Sequence, residues 1–414
     1  MSRRGSDGPG ITQRRTLRRG RALWADSHAL SVPSQHPRRD IVCDVAVVGA
    51  GISGALVARG LVARGLTVAL LDRRELLRGS TIASTALLQF ELDVSLTALA
   101  DRIGRAKAER AWRRSVQAIR TLTAIVAREH IRCGYAARTS LYLAGDEYGS
   151  RALQQEVRAR ERVGIPGRFV SKGELRHRFG IARTGAIESA GNAVADPAQL
   201  TAALLRRVVV GGGRIYCHAD VCEIAADRTG VALGLASGHS VLAEHAVFCT
   251  GYEQLAQIPL AGHRVKSTWA MATTPGTSLP AWMRSTVIWE ASDPYLYLRS
   301  TSDGRVIAGG EDEESSTRFR DPRALLRKTR RIVSAVETLL PELDLTPEYR
   351  WAGAFGESPT GLPVIDRVPG LPRCYNVTGF GGNGITHSVI AGEVIANAIT
   401  GTPDTDQALF RAPR

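Results

Sequence analysis

Apolar residues run continuously in the first part of the chain and alternate strictly with polar ones further on, with stretches of helical spacing between. Residues 44–48 and 67–71 are short β-branched apolar runs, as expected for strands buried on both faces of a parallel sheet. Between them, residues 55–64 continue at helical spacing. Residues 96–129 read as mostly helix with a break at Gly104, because Ala111, Ser115, Ala118, Leu122 and Ile125 recur every three or four positions. A strand is expected over 139–144, a charged and exposed helix over 151–162, and a short helix over 172–179 ended by Gly180. Asp196 and Pro197 cap and open a helix to about 210. A strand over 214–219, a small meander (221–225, 230–236 and 240–243) and a buried strand over 244–250 follow. Residues 264–273, 286–290, 295–299 and 305–309 alternate in the manner of antiparallel strands. An amphipathic helix over 321–340 stops at Pro341, and a strand over 374–378 leads through a glycine-rich turn into a helix over 389–400.

Glycines mark where chemistry enters this pattern. Gly49, Gly51 and Gly54 form G-x-G-x-x-G directly after the first strand, and Asp72 ends the second. The first glycine permits a tight turn, the second lets the backbone approach a pyrophosphate, and the third lets helix and strand pack closely. The free N–H groups at the helix start hold phosphate charge, and a carboxylate about 20 residues on suits the ribose hydroxyls of an adenine dinucleotide. A second glycine turn, 379–384, feeds another helix start and so offers a further set of oriented donors. The run of small and hydroxyl residues at 79–86 suits either a backbone lying close to a ligand or a capped helix start.

Composition narrows the class. The chain of 414 residues can bury a large core and reads as two domains. Its net charge is +14, of which residues 1–40 hold nine Arg against three Asp. Only four lysines occur, so the positive charge is almost all arginine, and no aromatic-interleaved basic motif points to a specific nucleic acid. No apolar run approaches the roughly 18 residues of a membrane span, and the first forty residues have no apolar secretion core. That segment, 1–40, is expected to be a basic tail, disordered or loosely attached, with Leu23 and Trp24 as its docking residues. The six cysteines are scattered without C-x-x-C, which fits a reducing cytoplasm with no disulfide, zinc or other metal framework.

Over roughly 41–400 the chain resembles the flavin-dependent amine oxidases of the D-amino-acid oxidase, glycine oxidase and sarcosine oxidase superfamily. The likeness rests on the 49–72 fingerprint, Ala195-Asp196-Pro197, Thr250-Gly251, and Gly361-Leu362-Pro363 with the 381–388 turn. It implies an α/β fold: a Rossmann-like FAD-binding domain (41–95, 185–260 and 346–400) with a discontinuous α+β substrate domain (96–184 and 261–345) built on an antiparallel sheet, then a tail, 401–414. By the family pattern Gly49, Gly51, Ile52, Ser53 and Gly54 hold the pyrophosphate, and Asp72 with Arg73 sits at the ribose. Ser80, Thr81, Ser84, Thr85 and Ala86 line the flavin, Val221 meets the adenine, and Thr250 and Gly251 close over the dinucleotide. Gly382, Asn383, Gly384, Ile385 and Thr386 bring N–H groups to the flavin O2 edge. Sarcosine oxidases tether FAD through a cysteine in the block that is 351–359 here; none occurs there, so FAD is expected to be non-covalent.

The resemblance also implies the reaction. A neutral amine gives hydride to flavin N5, the imine hydrolyses, and O2 reoxidises the flavin with release of H2O2; the flavin carries the chemistry and the protein orients the substrate. Lys266 matches a lysine beside the flavin in glycine oxidase-like members, although a lysine on a surface strand has the same local pattern. Arg299 matches a strand arginine that clamps a substrate carboxylate, and alternation puts Tyr295, Tyr297 and Arg299 on one face. Where glycine oxidase-like relatives place a second arginine this chain holds Phe355, which weakens the case for a simple α-amino acid; a larger or less acidic amine, such as an N-substituted amino acid or a polyamine derivative, fits as well. Gln89, Phe90 and Glu91 are candidates to enter the pocket, and Asn383 and His387 read as structural. The alternative is a flavin dehydrogenase of a hydroxy acid or amine that uses an acceptor other than O2. A third reading is a basic binding protein whose flavin fold is inactive. The pattern specifies no oligomeric state.

Overall fold

The computed structural model describes residues 11–12, 14–256 and 262–412. The tail expectation for residues 1–10 and 13, the segment boundary at 260–261 and the final two residues lie outside the described residues.

The continuously apolar strands assemble an eight-stranded sheet in the order Val364–Arg367, Cys374–Thr378, Ser240–Phe248, Ile41–Val48, Val68–Leu71 and Arg214–Tyr216. Val231–Leu235 and Val221–Ala226 extend it from Ser240–Phe248. Its central pairings are parallel, so these strands are covered on both faces and read as unbroken apolar runs. One strand, Ser240–Phe248, spans both the meander and the buried run that alternation alone separates. Helices Ile52–Val62, Pro197–Val210 and Gly384–Thr400 pack together on one face around Leu56, Leu200 and Val394. Asp196 caps its helix as its spacing predicts, accepting from the N–H of Ala198 (2.8 Å) and Gln199 (3.0 Å). Gly104, at φ +88°, separates Leu96–Ile103 from Arg105–Arg128.

The alternating strands form a ten-stranded sheet in which Arg264–Thr273 lies between Pro347–Glu357 and Val306–Glu313. Helix Pro322–Leu339 covers one face through Ile332, Val336 and Leu339. Gly185–Val194 and Pro347–Glu357, expected to go with the parallel-sheet part, pair in this sheet instead. Their register explains it, since Pro347–Glu357 runs antiparallel to Arg264–Thr273 along its whole length. Helix Ser150–Glu161, expected to be exposed, buries an Arg160–Glu156 ion pair (2.9 Å) with the guanidinium 4.4 Å above the Trp112 ring.

Within residues 14–40, Leu23 and Trp24 dock on the body as expected, and residues 18–26 form a short strand and a helical turn where a disordered or loosely attached tail was expected. Arg18–Arg21 adds an edge strand against Pro347–Glu357. Beyond it, Trp24 is buried with its indole N–H on the Ser84 carbonyl (2.7 Å), and Asp26 accepts from the Tyr349 hydroxyl (2.9 Å). The segment lacks enough apolar residues for a core of its own, and its order comes from these partners. No helix among the described residues is long and apolar enough to cross a membrane.

Candidate active site

Both glycine turns open on one cavity of about 550 Å³ between the two sheets. Strand Ile41–Val48 ends at Gly49, whose φ of +105° and closeness to the Cys249 carbonyl leave no room for a side chain. A Cβ at Gly54 would overlap the Gly49 carbonyl, so the third glycine is needed for helix and turn to meet. Gly51 sits against Thr81, whose Oγ1 accepts from the Ile52 N–H (3.1 Å), while the N-cap residue, Gly51, has no side chain to cap the turn that follows. That open helix start is a ready site for an anion. Gly49, Gly51, Ile52 and Ser53 line the cavity, whereas Gly54 lies behind them as a packing residue. The Ser53 hydroxyl is 2.8 Å from that of Ser388, which ties the helices after the two turns together.

Asp72 lines the cavity with one carboxylate oxygen on the Ala50 N–H (2.8 Å) and the other on the Arg74 N–H (2.9 Å). Burial raises its pKa, and the two N–H bonds oppose that rise. Arg73 reaches the cavity wall but is paired with buried Glu253, as is Arg74. Ser80, Thr81, Ser84, Thr85 and Ala86 line the next stretch, followed by Val221, Thr250 and Gly251. Gly382, Asn383, Gly384 and Ile385 complete the far end. Thr386 does not reach the wall, because its hydroxyl donates to the Gln89 carbonyl (2.7 Å). Among the described residues lining the cavity, the one cysteine is Cys249, and burial pushes its thiol pKa well up.

Beyond the 381–384 turn the wall belongs to the ten-stranded sheet. Lys266 lines it with its ammonium 2.8 Å from Glu357 and 2.9 Å from Glu314. Burial would lower its pKa, but the two carboxylates outweigh that and hold it above the usual lysine value. Phe355, the cross-strand partner of Lys266, is also on the wall. Tyr295 and Tyr297 line the cavity, Tyr297 lying over Gly309, where any side chain would collide with its ring. Burial pushes the Tyr297 phenol pKa up, so it stays protonated near neutral pH.

Arg299 is not part of this wall. It is buried with its guanidinium donating to the Ala195 carbonyl (2.9 Å) and lying 5.3 Å from the Trp24 ring. It does share a strand face with Tyr295 and Tyr297, but two residues add about 7 Å along a strand and carry it past the cavity. Of 89–91, Gln89 reaches the wall, while Phe90 and Glu91 are buried away from it. His387 is buried with Nδ1 2.9 Å from the Phe380 carbonyl, and burial lowers its pKa to about 4.

Two carboxylates at this end have no forerunner in the sequence motifs. Asp93 accepts from the Gly382 N–H (2.6 Å), and the Asn383 side chain braces the same turn by donating to the Glu91 carbonyl (2.8 Å) and accepting from the Asp93 N–H (3.1 Å). Asp312 follows on strand Val306–Glu313. Burial pushes the pKa of each up to about 6. The available signal was the run of four acids at 311–314 in a chain of net charge +14.

Known proteins resemble this chain in sequence and in fold. A glycine oxidase of Bacillus licheniformis is 24% identical over 369 residues, covering 87% of this chain and 94% of the relative. A Bacillus subtilis (strain 168) protein described as a putative Rieske 2Fe-2S iron-sulfur protein is 23% identical over 396 residues, covering 91% of this chain and 72% of the relative. The crystal structure of glycine oxidase from Geobacillus kaustophilus has the same fold, with a TM-score of 0.77 at 20% identity over 90% of this chain and 99% of that one. The pattern of the DAO family, the FAD dependent oxidoreductases, matches residues 44–398, from the strand before the first glycine turn to the helix after the second, and the chain belongs to that family.

Proposed function

We propose that this FAD-dependent oxidoreductase oxidises a primary or secondary amine and passes the electrons to O2. The observation that carries this reading is the single cavity, in which a glycine cradle able to hold a dinucleotide runs directly into a chamber of tyrosines, carboxylates and one lysine. In this proposal the parallel-sheet part holds FAD without a covalent link and the ten-stranded sheet forms the substrate wall. The fit to FAD rests on the tight turn at Gly49, the helix start after Gly51, whose N-cap has no side chain, and the fixed Asp72 carboxylate.

When bound, the flavin supplies a two-electron acceptor for the amine. The substrate R–CH2–NH2 loses two electrons and two protons to become R–CH=NH, O2 takes them up as H2O2, and water hydrolyses the imine. Asp93 and Asp312 supply carboxylates to the chamber wall that suit an ammonium, and Tyr297 lines the same chamber. Lys266 is the cation assigned to O2 reduction. Its two glutamate partners neutralise that charge, and this favours a second reading, an amine dehydrogenase with another acceptor.

The test is anaerobic mixing of the yellow holoprotein with a panel of amines, amino acids and hydroxy acids. Bleaching by an amine and recovery in air with stoichiometric H2O2 is the expected result. Bleaching by an amine with slow recovery in air supports the dehydrogenase, and protein that takes up FAD but is bleached by no amine overturns both readings.

A further inference from the structure

We infer that the chamber selects an amine that carries no carboxylate and bears a second, permanently protonated ammonium, as diamines and polyamines do. This rests on the amine reading above and specifies its substrate class.

The argument begins with charge. The whole chain carries +14, yet the chamber wall presents Asp93, Asp312, Glu313, Glu314 and Glu357, against which stand the Lys266 ammonium on the wall, Lys328 at 2.9 Å from Glu313 and Arg264 at 4.0 Å from Glu314. Among the described residues, the arginines on the cavity wall, Arg73 and Arg74, are paired with Glu253 beside the glycine cradle, Arg299 donates to the Ala195 carbonyl outside the cavity, and Phe355 fills the wall beside Lys266. An anionic group entering here would meet a net negative field at short range. An amine must be neutral at the nitrogen that is oxidised, so a monoamine leaves the excess negative charge unmatched at the moment of reaction. A second ammonium, remote from the reacting carbon, matches it.

Two further features point to an organic cation. Tyr142 and Trp289 stack at 3.8 Å, and Tyr295 and Tyr297 lie 5.4 Å apart on the same wall, so aromatic faces accompany the carboxylates. A polar atom there also awaits a partner. Asp312 Oδ1, on the cavity wall, accepts no hydrogen bond and so has room for a donor such as an ammonium. Burial pushes Asp93 and Asp312 up to about 6, and a bound ammonium relieves that cost by supplying the missing counter-charge.

The test compares 1,4-diaminobutane with ornithine, the same chain plus a carboxylate, by titrating each into the holoprotein without oxygen. The flavin spectrum reports binding as a shift when no oxidation follows and as bleaching when it does. The expected result is half-saturation by the diamine at a concentration at least tenfold lower than by ornithine, with the advantage falling at least tenfold in Asp312→Asn while FAD content is kept. Ornithine or glycine acting at equal or lower concentration, an unchanged preference in Asp312→Asn, or no response to the diamine would overturn the inference. A spectral shift by the diamine with bleaching by no amine would leave this selectivity standing and remove the amine-oxidising reading. Bleaching by amino acids in preference to diamines would do the reverse.

Discussion

At Gly54 one missing methyl group decides whether the first turn can close, because its Cβ position is occupied by the Gly49 carbonyl. Gly54→Ala is expected to lower FAD content in the purified protein at least tenfold, read from the ratio of flavin to protein absorbance. This is the kind of residue that sequence exposes well, since its reason is local. Arg299 is the opposite case. Its strand alternation was legible, but where the cavity ends along that strand depends on Trp24 and Ala195, which are far away in sequence. Arg299→Ala is therefore expected to leave the KM for an amine within about twofold and to lower the melting temperature instead, as loss of a buried hydrogen-bonded charge does. Equal damage to KM and to stability would restore a substrate role. Asp93 and Asp312 were illegible because a carboxylate has no periodic signature; only the fold carries them to the same wall as Lys266.

Among the elements, the segment from Ile11 to Asp26 changes most between sequence and structure. Ile11, Thr12 and Leu17 line the cavity beside the glycine cradle, and the Arg15 N–H bonds Glu253 (2.8 Å), the residue that also holds Arg73 and Arg74. An arginine-rich stretch with few apolar residues has the composition of a free tail. Here its edge strand satisfies backbone groups of Pro347–Glu357, and Trp24 supplies the anchor. Trp24→Ala removes that anchor at a cost of about 3 kcal/mol. The expected outcome is earlier thermal unfolding together with faster loss of FAD on dilution, while an unchanged FAD dissociation rate would show that the segment does not cover the cofactor. The boundary strands Gly185–Val194 and Pro347–Glu357 carry the same lesson, since strands take their sheet from partners rather than from neighbours in sequence.

For the whole molecule, burial of ionisable groups sets opposing dependences on pH. Unfolded His387 takes up a proton near 6.5, whereas the folded residue resists until about 4, so wild-type stability falls as pH drops through that window. Folded Asp93 ionises near 6 rather than 3.8, so its contribution is lost as pH rises from about 4 to 6. Denaturant midpoints of the flavin-free protein should therefore show His387→Gln gaining on wild type at pH 5 relative to pH 7, and Asp93→Asn gaining at pH 7 relative to pH 5. Parallel shifts in both variants would contradict this assignment. The sequence by itself determined the glycine cradle, the apolar strands around it, the helix caps and the family, because each depends on residues within a turn or two of one another or on a periodic pattern. Only the tertiary structure decided which strands join which sheet, that the basic N-terminal segment adds an edge strand beside its Trp24 anchor, and which charges face the cavity. Those outcomes depend on contacts between residues far apart in the chain, 335 positions in the case of Ser53 and Ser388, and no local pattern encodes them.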